Sequence, residues 1–246
     1  MEEKISVVIP TYKRPSELER AIKSVKKQTY PNLEIIVIDD NAKEPEFRKK
    51  TKEVVQKFKD IIYIENKESQ GGSGSRNIGI ERATGNLIAF LDDDDEFLPE
   101  KIEKQKKFYD KLTQQGKKVG IVYCYANYIY PNKRRREVKK DFEGIPLKEH
   151  MISCIAATSW WLCSKKVLEE IKKFDIIDSH QDASLILKLL VAGYELYRVP
   201  EVLLNYYVHE SKNGISGANM KNIKVDLYYR DICRQHYDKL TKKRKP

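Results

Sequence analysis

Cysteine is scarce and scattered. The four thiols, Cys124, Cys154, Cys163 and Cys233, form no C-x-x-C pair and stand at no Cys/His zinc spacing. That excludes a zinc ribbon and argues against a disulfide framework, so buried thiols are expected. Long hydrophobic runs are missing as well. The longest, 87–91 and 120–130, fall well short of the ~20 apolar residues of a spanning helix. The opening Met1-Glu2-Glu3-Lys4 lacks the basic start and long apolar stretch of a signal peptide, so the expected location is cytoplasmic. With 11 Gly and 9 Pro in 246 residues, collagen and low-complexity disorder are excluded.

What is present is a chain able to bury a core: 40% hydrophobic and 34% charged. The net charge of +10 is uneven. Residues 219–246 hold nine Lys/Arg against three Asp, so the charge belongs largely to a tail. A nucleic-acid-binding protein is the alternative this charge suggests. No helix-turn-helix, zinc or RNP signature accompanies it, so no nucleic-acid partner is expected.

The pattern along the first hundred residues is βαβαβαβ. Apolar runs at 5–9, 34–38, 61–64 and 87–91 read as buried strands. Between them, Pro15 opens one helix, residues 44–59 read as a second, and a third follows the loop at 70–74 and ends at Gly85. An α/β fold with a mostly parallel, Rossmann-like sheet is expected, flanked by helices. After Pro99 the pattern is mixed. It predicts helices over 100–113, 164–173 and 181–192, strands over 121–130, 196–199 and 202–207, and a basic loop or hairpin at 132–140. One domain over 1–246 is expected, in two halves (1–98 and 99–210) with a basic helical tail (211–246).

Polar clusters follow three of the strands: Thr11-Tyr12-Lys13-Arg14, Asp39-Asp40-Asn41, and Asp92, Asp93, Asp94 and Asp95. In open α/β sheets, ligands bind beyond the carboxyl ends of the strands, so all three clusters should line one crevice. Four adjacent carboxylates repel one another unless a cation or donors compensate. Oxygen ligands suit Mg²⁺ or Mn²⁺, and Asp92 and Asp94 have D-x-D spacing. The alternative is a solvated acidic turn. The loop at Gly71 has Gly72-x-Gly74 but Asn77 in place of a third glycine, and it follows the third strand, which disfavours a dinucleotide-binding dehydrogenase. Its glycines still allow close backbone approach to a ligand, and Arg76 can pair with a phosphate.

Five blocks carry a resemblance. They are Ser6-Val7-Val8-Ile9-Pro10-Thr11-Tyr12-Lys13-Arg14, Gln28-Thr29-Tyr30-Pro31-Asn32-Leu33-Glu34, Ile38-Asp39-Asp40, Gly74-Ser75-Arg76-Asn77-Ile78-Gly79, and residues 85–95 ending in the four aspartates. In this order and spacing the chain resembles a family 2 glycosyltransferase of the GT-A fold. The resemblance implies transfer of a sugar from a nucleoside diphosphate donor, with inversion, to a glycan or lipid-linked acceptor in surface polysaccharide synthesis. UDP is the expected carrier, and Mn²⁺ or Mg²⁺ the expected cofactor. It also implies roles, with 1–98 as the nucleotide-sugar-binding half and 99–210 as the acceptor-binding half. Pro10, Thr11, Tyr12 and Arg14 surround the nucleoside, and Asp40, with Asp39 beside it, reads the base. Asp92 lies near the ribose and sugar, Arg76 and Asn77 approach the donor, and Gly71 and Asp93 count among the nucleotide- or donor-binding residues. Asp94 is the main metal ligand, and His209 completes the metal or diphosphate site in some relatives. Gln181-Asp182 matches an acidic pair whose second member is the general base. Only Asp182 keeps the carboxylate here.

Inverting transfer needs one carboxylate to take the acceptor's proton, whereas a double-displacement hydrolase needs two flanking the bond. A nucleotidyltransferase is disfavoured because no Gly-rich, lysine-bearing loop follows the first strand. A family member that binds sugar nucleotide without transfer is the remaining alternative. Trp160 and Trp161 suggest a sugar platform, with both in the core as the alternative. The run 133–136 and the tail suggest peripheral contact with anionic membrane, against a solvated basic face.

Overall fold

The computed structural model describes residues 2–209, together with Leu227, Arg230, Asp231, Arg234 and Gln235. Those five are helical and exposed. The proposed membrane-contacting tail otherwise lies outside the described residues. Among the described residues, no helix is long and apolar enough to cross a membrane.

The first half alternates as expected: β1 (Ile5–Thr11), α1 (Pro15–Lys26), β2 (Leu33–Asp39), α2 (Pro45–Gln56), β3 (Ile61–Glu65), α3 (Gly71–Arg82) and β4 (Leu87–Phe90). Pro15 and Pro45 stand at the first turns of α1 and α2, where a fixed φ helps and the missing N–H costs nothing. The second half holds β5 (Glu96–Phe97), α4 (Lys101–Gln114), β6 (Val119–Ile129), β7 (Arg135–Val138), α5 (Leu147–Ile152), a 3₁₀ turn (Thr158–Trp160), β8 (Leu162–Ser164), α6 (Lys165–Glu170), α7 (Gln181–Val191) and β9 (Glu195–Tyr207).

One sheet runs through both halves in the order β3-β2-β1-β4-β8-β6-β9-β5, with β7 paired to β6. The strands β3, β2, β1 and β4 are parallel, as are β6 and β9, while β8 joins the two sets antiparallel to both neighbours. Residues of β1, β2 and β4 such as Val7, Val8, Ile36, Val37, Ile88 and Ala89 are fully buried, as helix-covered parallel strands require.

Three expectations change. The strands predicted at 196–199 and 202–207 are one strand, β9. It continues past Pro200 because register shifts around Tyr125 of β6 absorb the irregularity. The helix predicted over 164–173 stops at Glu170, with Lys172 and Lys173 both at positive φ. The 70–74 loop is the first turn of α3. Asp40 causes this last change: its carboxylate accepts from the backbone N–H groups of Gln70 (2.7 Å) and Gly71 (3.0 Å), capping the helix from another strand. Gly71 itself sits at φ +65.

The glycines of α3 serve packing. A Cβ at Gly79 would come within 2.2 Å of Val8 Cγ1, and one at Gly72 within 2.8 Å of Gln181 Oε1. Gly79→Ala is therefore expected to lower stability by about 1–3 kcal/mol, through overpacking of α3 against β1. Chemical denaturation reads this directly, and an unchanged midpoint would refute the packing role.

Candidate active site

The carboxyl ends of β1, β2 and β4 meet. Asp40 N–H donates to Thr11 C=O at 3.0 Å, and Thr11 Oγ1 donates to Asp93 Oδ2 at 2.8 Å. Tyr12 N–H adds a bond to the same oxygen at 3.2 Å. Lys13, at φ 58, donates its N–H to Asn41 Oδ1 at 2.9 Å. Pro10 is the one half-buried residue of β1, Thr11 after it is buried, and Tyr12 is 47% exposed beside the crevice.

Asp39 and Asp40 are frame residues in this geometry. Asp39 is 0% exposed and accepts from Asn41 N–H (2.7 Å), Asn41 Nδ2 (2.8 Å) and the Tyr63 hydroxyl. Asp40 accepts four bonds, from Asn66 Nδ2 and Ser69 Oγ (both 2.7 Å) besides Gln70 and Gly71. Its two oxygens thus lock the 66–71 segment onto the crevice floor.

The acid turn is the centre of charge. Arg14 donates to Asp93 at 3.2 Å and also to Asp94. His209 Nε2 lies 2.7 Å from Asp94 Oδ2, and Arg20 donates to the Asp94 carbonyl at 2.6 Å. Asp94 and His209 thus come together in space. Burial, and then Asp94, push the Asp93 carboxyl up to about 7, against the pull of Arg14 and Thr11. Burial also raises Asp95, with Asp94 and Asp92 adding to it. Arg14 is itself raised: burial works against its charge, and Asp94 and Asp93 outweigh it.

The sign of this linkage is unusual. The folded chain holds the Asp93 proton more tightly than the unfolded chain, whose ordinary value is 3.8. Stability from this group is full at low pH and is lost as pH rises from about 4 to about 7. Without divalent metal, Asp93→Asn should therefore gain in melting temperature relative to the parent across that window. A constant difference between the two curves would refute it.

Arg76 joins the two halves. Its guanidinium donates to Asp92, and its Nη1 donates to Gln181 Oε1 at 2.7 Å. Gln181 opens α7, which carries Asp182 in its first turn. Asn77 exchanges bonds with the Phe174 backbone, giving at 2.9 Å and accepting at 3.0 Å. Asp182 is half-buried, and its Oδ1 accepts from Ala183 N–H at 2.8 Å. It raises the neighbouring Cys154 thiol, after burial.

The sequence reading missed several partners. Ser159 Oγ accepts from Asp92 N–H at 3.1 Å, and Thr158 Oγ1 donates to the Asp92 carboxylate at 3.3 Å. Their only signal was adjacency to the tryptophans. The platform expectation for Trp160 and Trp161 is corrected: they are 2% and 0% exposed. Trp161 stacks on Phe174 at 6.3 Å, and Trp160 meets Tyr128 edge-on at 6.3 Å, so both rings are spent on the core beneath the 3₁₀ turn.

The family follows from a match to glycosyl transferase family 2 over residues 6–172, which includes β1, the acid turn and β8. The chain belongs to that family. It is a glycosyltransferase. It is 29% identical to UDP-Glc:alpha-D-GlcNAc-diphosphoundecaprenol beta-1,3-glucosyltransferase WfaP of Escherichia coli, over 96% of this chain and 92% of that protein. It is 27% identical to the putative teichuronic acid biosynthesis glycosyltransferase TuaG of Bacillus subtilis, over 96% and 91%. Among solved structures, S. aureus TarS in complex with UDP-GlcNAc superposes with a TM-score of 0.68 at 16% identity. That match covers 88% of this chain and 62% of that one, and it shows the fold. Relatives of this glycosyltransferase thus act in cell-surface polysaccharide synthesis, and family members commonly depend on a divalent metal.

Proposed function

We propose that this glycosyltransferase moves a sugar from a nucleoside diphosphate donor, UDP-linked, to a hydroxyl of a glycan or lipid-linked acceptor. The observation that carries the reading is the Arg76 bridge. One guanidinium ties Asp92, at the end of β4, to Gln181, beside Asp182. A donor at the strand ends and a base at the start of α7 then belong to one crevice. Arg76 and Arg14 supply cations for the diphosphate, and Thr11, Tyr12 and the Asp40-held segment wall the nucleoside. Asp182 takes the acceptor's proton as its oxygen attacks the anomeric carbon in line with the departing diphosphate, which inverts that centre.

The donor set fits a hard divalent cation. Asp94 Oδ2 and His209 Nε2 stand 2.7 Å apart within a turn of surplus negative charge. Among the described residues, no third His, Cys, Asp or Glu completes a cluster with them. Asp94 and His209 would hold Mn²⁺ or Mg²⁺ there. Bound there, the ion would neutralise charge on the diphosphate.

The relatives' names support the carrier and the setting: one uses UDP-Glc and a diphosphoundecaprenol acceptor, another is assigned to teichuronic acid. Calorimetric titration with UDP, GDP, CDP and dTDP, with and without Mn²⁺, tests the reading. Metal-dependent binding of UDP is expected. Binding of none of the four would overturn it.

A further inference from the structure

With both tryptophans buried, the sugar-facing surface must lie elsewhere. Two other rings stand beside the acid turn. Tyr207 N–H donates to Asp95 Oδ1 at 3.1 Å, which sets Tyr206 of β9 beside that turn, and Tyr128 of β6 pairs with Tyr206. Burial raises the Tyr128 hydroxyl, and Asp95 and Asp182 add to it. The two rings stack at 4.8 Å, and both are half-buried. No hydrogen bond engages either hydroxyl among the described residues.

The sheet register extends this pair outward. Tyr128 is paired with Tyr206 on one side and Arg136 of β7 on the other. Directly opposed residues share a face, so Arg136, Tyr128 and Tyr206 form one row across the sheet. At about 5 Å per strand, Arg136 begins about 10 Å from Tyr206. Alternation puts Arg134 on the same face, and its guanidinium lies 5.1 Å from the centre of the Tyr130 ring. Arg135 belongs to the opposite row with Ile129 and Tyr207, where Arg20 of α1 stacks on Tyr207 at 3.8 Å. Arg134 and Arg136 are exposed and make no carboxylate pair among the described residues. The crevice-side face therefore carries rings beside the acid turn and guanidiniums further out.

We propose that Tyr128, Tyr206, Arg134 and Arg136 form the acceptor site, and that the acceptor is a glycosyl phosphate or diphosphate. The rings hold the acceptor sugar beside Asp182, and the two arginines hold its phosphate. This rests on the transferase reading above. It adds that the acceptor must carry an anion directly on its sugar.

The test uses the full chain and two probes: an N-acetylglucosamine joined to a dodecyl chain through a diphosphate, and the neutral dodecyl glycoside of the same sugar. The parent should bind the first about tenfold or more tightly than the second. The double variant Arg134→Ala/Arg136→Ala should lose that preference while still binding the neutral glycoside. Arg135→Ala should keep it. Equal binding of both probes by the parent, or the same loss in Arg135→Ala, overturns the proposal. So does a double variant that keeps its probe preference and loses only binding to phosphatidylcholine vesicles doped with phosphatidylglycerol, which would make the hairpin a membrane contact. The UDP titration separates the two readings. If UDP fails to bind while the probe preference stands, the UDP-donor reading falls and this site remains. The reverse removes only this site.

Discussion

Asp182→Asn should reduce sugar transfer by about 10²–10⁴-fold while nucleoside diphosphate binding stays at the parent level. The amide keeps the size of the side chain and its place in the first turn of α7. Its oxygen can still accept from Ala183 N–H, as Asp182 Oδ1 does at 2.8 Å. What it loses is the ability to take a proton. A helix-stabilising role alone would show as lowered stability with normal turnover. The decisive comparison is therefore turnover against melting temperature in one preparation, and near-normal turnover would remove Asp182 as the base.

Asp94→Ala is the second large effect. Its carboxylate is where Arg14 and His209 converge. Removing it leaves Arg14 with Asp93 and strips the charge that would draw a cation to His209. Metal-dependent UDP binding should disappear, and transfer should fall by about 10²-fold or more. Stability should not fall in step, because part of the repulsion that raises Asp93 leaves with Asp94. A variant that still binds UDP in a Mn²⁺-dependent way would move the metal elsewhere.

The first half of this fold was legible because its signals are local and strong. Buried β-branched runs end in polar clusters, and Pro15 marks a helix start. The crevice followed from strand ends alone. The second half was less legible because its elements are short and exist through pairing. The two-residue β5 is a strand because Glu96 and Phe97 pair with Asn205 and Leu204 of β9. The three-residue β8 is one because β4 and β6 flank it. Neither has a period to read.

Within the site, the polar clusters were visible and the assignment of tasks was not. Asp40 is surrounded by donors from a segment some thirty residues away, and sequence gives no sign of that. The tryptophans were a chemical guess about surface, and burial is a property of the whole fold. Tyr128 and Tyr206 had no motif at all, being two among 15 tyrosines.

The contacts between α3 and the segment leading into α7 bear on how such enzymes can be recombined. A chimera joined just after the acid turn would take residues 71–82 from one parent and 174–182 from another. Position 72 would have to stay glycine wherever Gln181 stands, since a Cβ there would lie 2.8 Å from its Oε1, Arg76 would need an acceptor at position 181, and Asn77 would need the Phe174 backbone in register. These positions should be exchanged as a block. Half-swaps that keep both sets from one parent should fold and retain an aligned base, and swaps that split them should assemble with the base out of line.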